Sequence, residues 1–170
     1  GGSDSQIKRE YDEGHLVALH TCSHDYAKIY SSDAAFFEDL YTVQNRVKNI
    51  TGYESKISRF PGGSSNTVSR KYSGGIMSRL TAEVQNRGFK YYDWNLSSGD
   101  AAGGTPTSDQ IYYNVINSLS KNRANMVLMH DIKPYTRDAL RRIIRYGKEN
   151  GYRFEKITMD TDMVTQRVNN

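Results

Sequence analysis

The sequence predicts an α/β fold built on a parallel sheet, and three observations carry that expectation. Short apolar runs alternate with stretches of helical periodicity along the whole chain. At 170 residues there is material for a single domain, residues 1–170, with a real core. The composition, 36% hydrophobic and 25% charged, is ordinary for a globular domain. Strands regularly separated by helices pack into a parallel sheet that is open or closed into a barrel.

Residues 5–13 are polar and helix-compatible, and Gly14 stops them. Residues 15–20 (His-Leu-Val-Ala-Leu-His) then read as a buried strand. The clearest helix covers residues 33–50, where Phe36, Phe37, Leu40, Val43, Val47 and Ile50 share a stripe. Ser31, Ser32 and Asp33 offer N-caps for it, and Gly52 a stop. Residues 56–60 are a second strand, ending at Pro61-Gly62-Gly63, and a serine- and glycine-rich stretch runs on to Gly75.

A helix carrying Ile76, Met77, Leu80 and Val84 closes at Gly88, and residues 89–96 form a third strand. After a glycine-bearing loop over 97–106, a helix over 108–121 places Ile111, Val115, Ile116 and Leu119 on one face. A fourth strand over 126–129, a helix over 135–150 and a last strand over 153–157 complete the order. In parallel α/β folds the working groups gather at the C-terminal ends of strands. Here those ends carry His20, Arg59, the region from Asp93 to Asp100, and His130.

Several function classes are disfavoured. The net charge of +4 comes from dispersed Lys and Arg with no basic run, so a nucleic-acid patch is not indicated. The single cysteine, Cys22, excludes an internal disulfide framework. No run of about 18 apolar residues is present to span a membrane. No signal peptide is visible, and Gly1-Gly2-Ser3 is compatible with a cloning remnant, with any export signal or anchor upstream of it.

The chemistry-bearing residues are few. His20-Thr21-Cys22-Ser23-His24 places two imidazoles at a spacing that can converge on one cation when the backbone turns between them. Two polar residues capping a turn would look the same. Arg59 at a strand end suits a carboxylate in a cleft, and Gly62 and Gly63 let backbone N–H groups approach a substrate. On an alternating strand Asp93, Asn95 and Ser97 share a face opposite Trp94, which suits a sugar subsite or, more commonly, a core. His130 ends the apolar strand Met126-Val127-Leu128-Met129 and suits either a structural role or a general acid.

Taken in order, His-Thr-x-x-His, Arg-Phe-Pro-Gly-Gly, a Trp-bearing strand with an acidic loop, and Leu-x-His resemble the polysaccharide deacetylase domain, the NodB-type domain of carbohydrate esterase family 4. The resemblance runs from about Ile7 to the C-terminus. It implies a deformed (β/α) barrel that removes acetyl groups from amino sugars, or from sugar esters. It also implies that His20 and His24 are two of three protein ligands to Zn2+ or another divalent metal such as Co2+. His130 would then be the general acid, Leu128 would line the acetyl-methyl pocket, Arg59 would position the base aspartate, and the Gly62 N–H would face the oxyanion. The polymer would be peptidoglycan or a chitin-like GlcNAc chain, met outside the cell or in a bacterial cell wall.

Two departures qualify these expectations. The family's Thr-Phe-Asp-Asp-Gly motif, source of the catalytic base and the third ligand, does not occur. The barrel is therefore expected to lack its first two strands, the chain to be impaired or inactive, and open sheet edges to favour self-association or strand exchange. The second departure is Ser97-Ser98-Gly99-Asp100-Ala101 where many members carry Asp-Ser-x-Asp-Trp. Asp93 is the preferred candidate for the acid that tunes His130, and Asp100 the second. The alternative functions are a catalytically inactive glycan-binding or scaffold domain, or an acetyl xylan esterase.

Overall fold

Local signals set most helix boundaries in the computed structural model, which describes residues 3–170; Gly1 and Gly2 of the possible cloning remnant lie outside the described residues. Helix α1 (Ser3–Asp12) is polar and buries none of its residues. Helix α2 (Tyr26–Ile29), which no periodicity announces, starts where the Asp25 side chain accepts the Ala27 amide. Helix α3 (Asp33–Thr51) starts on Ser32, whose hydroxyl accepts the Ala35 amide, and ends at Gly52 in the left-handed region. Its buried face carries Phe36, Phe37, Leu40 and Val47, but also Asp39 and Gln44.

Strand β1 (Ile57–Ser58) follows, then a 3-10 turn over Val68–Lys71 and helix α4 (Ile76–Asn86), which buries Ile76, Met77, Leu80 and Val84. Strand β2 (Lys90–Tyr91) pairs in parallel with β1, and Leu19 bridges Ser58 on the other side. Strand β3 (Leu96–Ser97) pairs in parallel with β4 (Val127–Leu128). Between β3 and β4 lies α5 (Ser108–Ile116), opened by a capping box of Thr107 and Gln110. Helix α6 (Pro134–Glu149) follows β4, with proline in its first turn.

Three expectations are corrected. The strand over 89–96 is interrupted, because the Asp93 amide leaves the ladder for the Val164 carbonyl at 2.7 Å. Beyond that break the Asn95 side chain takes over, accepting the Met126 amide and donating to Ala124 O, both at 2.9 Å. The helix over 108–121 stops at Ile116, where Ser118 donates its hydroxyl to Asn114 O and its amide to Val115 O. Residues 153–157 form no strand, and residues 153–156 are exposed with no ladder hydrogen bond among the described residues.

The chain divides into two compact units: the described residues through Asp93 together with Lys156–Asn170, and Trp94–Glu155. In the first, Leu19, Ile29, Tyr30, Phe36, Phe60 and Leu80 belong to a continuous apolar core. In the second, Leu96, Ile111, Val115, Ala139 and Ile143 form a smaller one. No helix among the described residues is long and apolar enough to cross a membrane.

Candidate active-site residues

In the first unit, the strand expected over 15–20 is reduced to an isolated parallel bridge of Leu19 with Ser58, which places His20 just beyond it. Leu19 N donates to Ile57 O and Arg59 N donates to Leu19 O, each at 2.9 Å. The His20 Nδ1 lies 2.7 Å from the Arg59 carbonyl oxygen. A carbonyl only accepts, so Nδ1 carries the hydrogen and Nε2 is the lone-pair nitrogen of the neutral ring.

The chain then turns sharply. Thr21 and His24 have φ of 61° and 53°, in the left-handed region that non-glycine residues rarely occupy. The turn sets the His20 and His24 rings 5.1 Å apart, edge to face. Its amides point into α3: Cys22 N and Ser23 N donate to Asp39 Oδ1 at 2.5 and 3.1 Å. Asp39 is buried, and burial alone would raise its carboxyl. Hydrogen bonds from Ser23, the Cys22 amide and Lys28 outweigh that and hold it below its ordinary value.

The Arg59-Phe60-Pro61-Gly62-Gly63 segment is anchored by the buried Tyr30, whose hydroxyl donates to Pro61 O at 2.7 Å. Gly62 has a φ of 77°, and a Cβ built there would lie 2.9 Å from the Tyr26 hydroxyl. Burial lowers the Arg59 guanidinium, and the charge of Asp93 pushes it back up. Asp93 is itself buried. It accepts Ser64 N and Gln166 N at 2.8 Å each, and the Ser64 hydroxyl as well.

In the second unit the acid partnered with His130 is Asp100. Asp100 Oδ2 accepts the His130 amide at 2.7 Å and the Thr136 hydroxyl at 2.9 Å, while Oδ1 lies 2.8 Å from His130 Nδ1. The carboxylate side chain is 2% exposed and the imidazole 38%, so a buried acid orients a reachable ring. Burial tends to raise the Asp100 carboxyl, but hydrogen bonds from His130, Thr136 and Ser98 more than offset it and lower its pKa. The preference for Asp93 over Asp100 is thus corrected: Asp93 spends its oxygens on Ser64 and Gln166, and Asp100 spends its own on His130. Leu128 lies in β4 and Trp94 at the start of this unit, both half-buried.

Residue by residue, His20, His24, Arg59 and Gly62 fall in the first unit with Asp93, and Asp100, Leu128, His130 and Trp94 in the second. Among the described residues no three His, Cys, Asp or Glu side chains group as a complete metal site. Asp39 and Thr136 escaped the sequence reading. Asp39 was detectable, as a carboxylate three residues after Phe36 and four before Val43 on the apolar stripe of α3. Thr136 gave no such signal.

The sequence model of the family described as Polysaccharide deacetylase matches residues 2–75. A curated relative, a peptidoglycan-N-acetylglucosamine deacetylase of Bacillus cereus, is 33% identical over 153 residues, 88% of this chain and 52% of the relative. Chitin deacetylase 2 of Cryptococcus neoformans is 29% identical over 140 residues, 77% of this chain and 28% of the relative. The crystal structure of the catalytic domain of a peptidoglycan N-acetylglucosamine deacetylase from Eubacterium rectale is 44% identical with a TM-score of 0.96, covering 98% of this chain and 76% of that one. A polysaccharide deacetylase structure from Bacillus cereus is 31% identical with a TM-score of 0.80, covering 95% and 76%. The chain spans about half the length of the bacterial curated relatives it matches, and it shares the fold of these catalytic domains.

Proposed function

The chain belongs to the polysaccharide deacetylase family, and from that membership we propose that its chemistry is metal-dependent removal of N-acetyl groups from peptidoglycan or a chitin-like GlcNAc polymer. The observation that carries this reading is the imidazole pair. His20 gives its Nδ1–H to the Arg59 carbonyl, the outer-shell arrangement typical of a metal-ligating histidine, and His24 stands 5.1 Å away ring to ring.

The donor set fits Zn2+ or Co2+ as two of the ligands such a metal needs. Bound there, the metal would polarise the acetyl carbonyl and acidify a water. The remaining roles belong to the chain's own groups. His130 holds a proton at Nε2 for the departing amine, with Asp100 fixing its ring at Nδ1. Leu128 lines the acetyl-methyl pocket, the Gly62 N–H faces the developing oxyanion, and Arg59 positions the base. Such a polymer places the reaction outside the cell or in a cell wall, and open sheet edges favour self-association.

The sequence contains no Thr-Phe-Asp-Asp-Gly motif, so the 170-residue chain is proposed to turn over little substrate by itself. A deacetylation assay on a GlcNAc oligomer with added zinc or cobalt tests this, beside metal analysis of His20→Ala and His24→Ala. Zinc uptake that survives both substitutions would overturn the metal assignment. Turnover by this chain matching a family member that has the motif would overturn the expectation of low activity. Light scattering checks self-association.

A further inference from the structure

Between the two histidines stand three residues, and the amides of two of them, Cys22 and Ser23, are held from outside the loop. Among the described residues only Thr21 and His24 adopt positive φ without being glycine. Thr21 is the costlier case, because a β-branched side chain crowds its own backbone in that conformation. Its hydroxyl does not compensate, since Thr21 Oγ1 is buried with no hydrogen-bond partner among the described residues. What the turn does achieve is to aim two successive amides, Cys22 N and Ser23 N, at a single oxygen. That is a small anion-binding nest with Asp39 Oδ1 seated in it.

Asp39 is an unusual occupant of its helix. It lies on the apolar stripe of α3, and its side chain is 1% exposed. A carboxylate there is expensive to desolvate and is kept only where its charge is answered. Among the described residues its ion-pair partner is Lys28, whose Nζ stands 3.4 Å from Oδ2 on a side chain that is 56% exposed. A pair so screened is a weak reason to bury an acid. The two amide hydrogen bonds, on a loop in a disfavoured conformation, are the stronger one.

We propose that Asp39 is a positioning residue of the histidine loop: by receiving the Cys22 and Ser23 amides, its buried carboxylate fixes the turn that brings His24 back beside His20. This rests on the reading of His20 and His24 as metal ligands. It goes beyond that reading by naming the group that preorganises the pair before any metal arrives. Without the carboxylate, Thr21 has no reason to hold a positive φ, the two amides turn to water, and the His24 ring loses its fixed distance from His20.

The test compares Asp39→Leu, Asp39→Asn and Lys28→Ala with the unsubstituted chain. Zinc ion affinity is measured by competition with a chromophoric chelator, and amide hydrogen exchange is followed in the metal-free protein. Leucine fills the site on the apolar stripe without an acceptor, so α3 stays packed. It should weaken zinc binding by about 10- to 100-fold and speed exchange at Cys22 and Ser23 without speeding it across α4. Asparagine keeps one oxygen for both amides and should restore affinity to within about threefold of the unsubstituted chain. Lys28→Ala should leave zinc affinity unchanged. Should the leucine variant not fold, Asp39→Ala is measured against the asparagine variant in the same way.

Equal zinc affinity in the leucine, alanine and unsubstituted chains, with His20→Ala still abolishing binding, overturns the proposal and leaves the metal reading standing. Zinc binding that is indifferent to His20→Ala in the unsubstituted chain removes the metal reading itself, and the proposal with it.

Discussion

Asp100 grips His130 at two points, taking its backbone amide on Oδ2 at 2.7 Å and lying 2.8 Å from its Nδ1 through Oδ1. One oxygen therefore fixes where the residue sits and the other fixes which ring nitrogen carries a hydrogen. The Thr136 hydroxyl shares this acid, at 2.9 Å from Oδ2, and the Ser98 side chain contributes as well.

The asparagine variant separates these two functions. In Asp100→Asn the carboxamide oxygen must face the His130 amide, since an N–H cannot accept. The carboxamide NH2 is then turned toward Nδ1 and forces that nitrogen to accept. The neutral ring would move its hydrogen to Nε2, the wrong tautomer for a ring that must be charged to act as an acid. Nitrogen NMR of the His130 ring should report the exchange of tautomers. Stability should fall by about 1–3 kcal/mol for the weakened buried contacts, read by urea unfolding.

The same pair makes stability depend on pH in a defined direction. The Asp100 carboxyl is lowered from the ordinary 3.8, with burial opposing and the hydrogen bonds from His130 and Thr136 prevailing. The unfolded chain thus takes up this proton at a higher pH than the folded one. The contribution is fully present above about 3.8 and is lost as pH falls through the lower folded value. Urea unfolding free energies taken from pH 5 downward should fall more steeply for the unsubstituted chain than for Asp100→Asn. Parallel slopes would sink this assignment.

Gly62 is fixed by conformation and by space together. Its φ is 77°, and an added Cβ would meet the Tyr26 hydroxyl at 2.9 Å and Asn66 Cβ at 3.2 Å. Gly62→Ala should therefore cost about 1–3 kcal/mol in urea unfolding. Pairing it with Tyr26→Phe removes the hydroxyl contact but neither the approach to Asn66 nor the backbone strain, so the double variant should recover only part of the loss.

How much of this was legible in the sequence depended on the range of the interaction. The apolar stripe of α3 and its stop at Gly52 are written within a few turns of chain, and the helix formed where the pattern placed it. The histidines and the arginine were singled out by strand-end logic, which needs only the order of elements. The choice between Asp93 and Asp100 did not. Alternation along a strand favoured Asp93, but alternation presumes an unbroken strand, and the Asp93 amide leaves the ladder for Val164, a residue far along the chain. The last strand failed for a related reason, since residues 153–156 are exposed and find no ladder partner among the described residues. Asp39 was readable only as an anomaly, an acid on an apolar stripe, and its purpose lay in a loop sixteen and seventeen residues upstream.

Asp93 has a task of its own, which is to hold the C-terminal segment. One carboxylate oxygen accepts the Ser64 amide at 2.8 Å, and the other accepts the Gln166 amide at 2.8 Å together with the Ser64 hydroxyl. In Asp93→Asn one of these oxygens becomes an NH2. The Ser64 hydroxyl can rotate to accept from it, whereas the Gln166 amide can only donate and is left facing another donor. The loss should therefore concentrate at Gln166, with a cost of about 1–3 kcal/mol for an unanswered buried amide. Hydrogen exchange at the Gln166 amide should accelerate in Asp93→Asn far more than in Ser64→Ala, which removes the hydroxyl's contacts with Asp93 and, at 3.4 Å, with Gln166 O but leaves the acceptor of the Gln166 amide in place. The Asp93 amide still donates to Val164 O at 2.7 Å in both variants, so the segment should loosen around Gln166 rather than detach. Equal exchange at Gln166 in the two variants would show that the carboxylate is not what holds it.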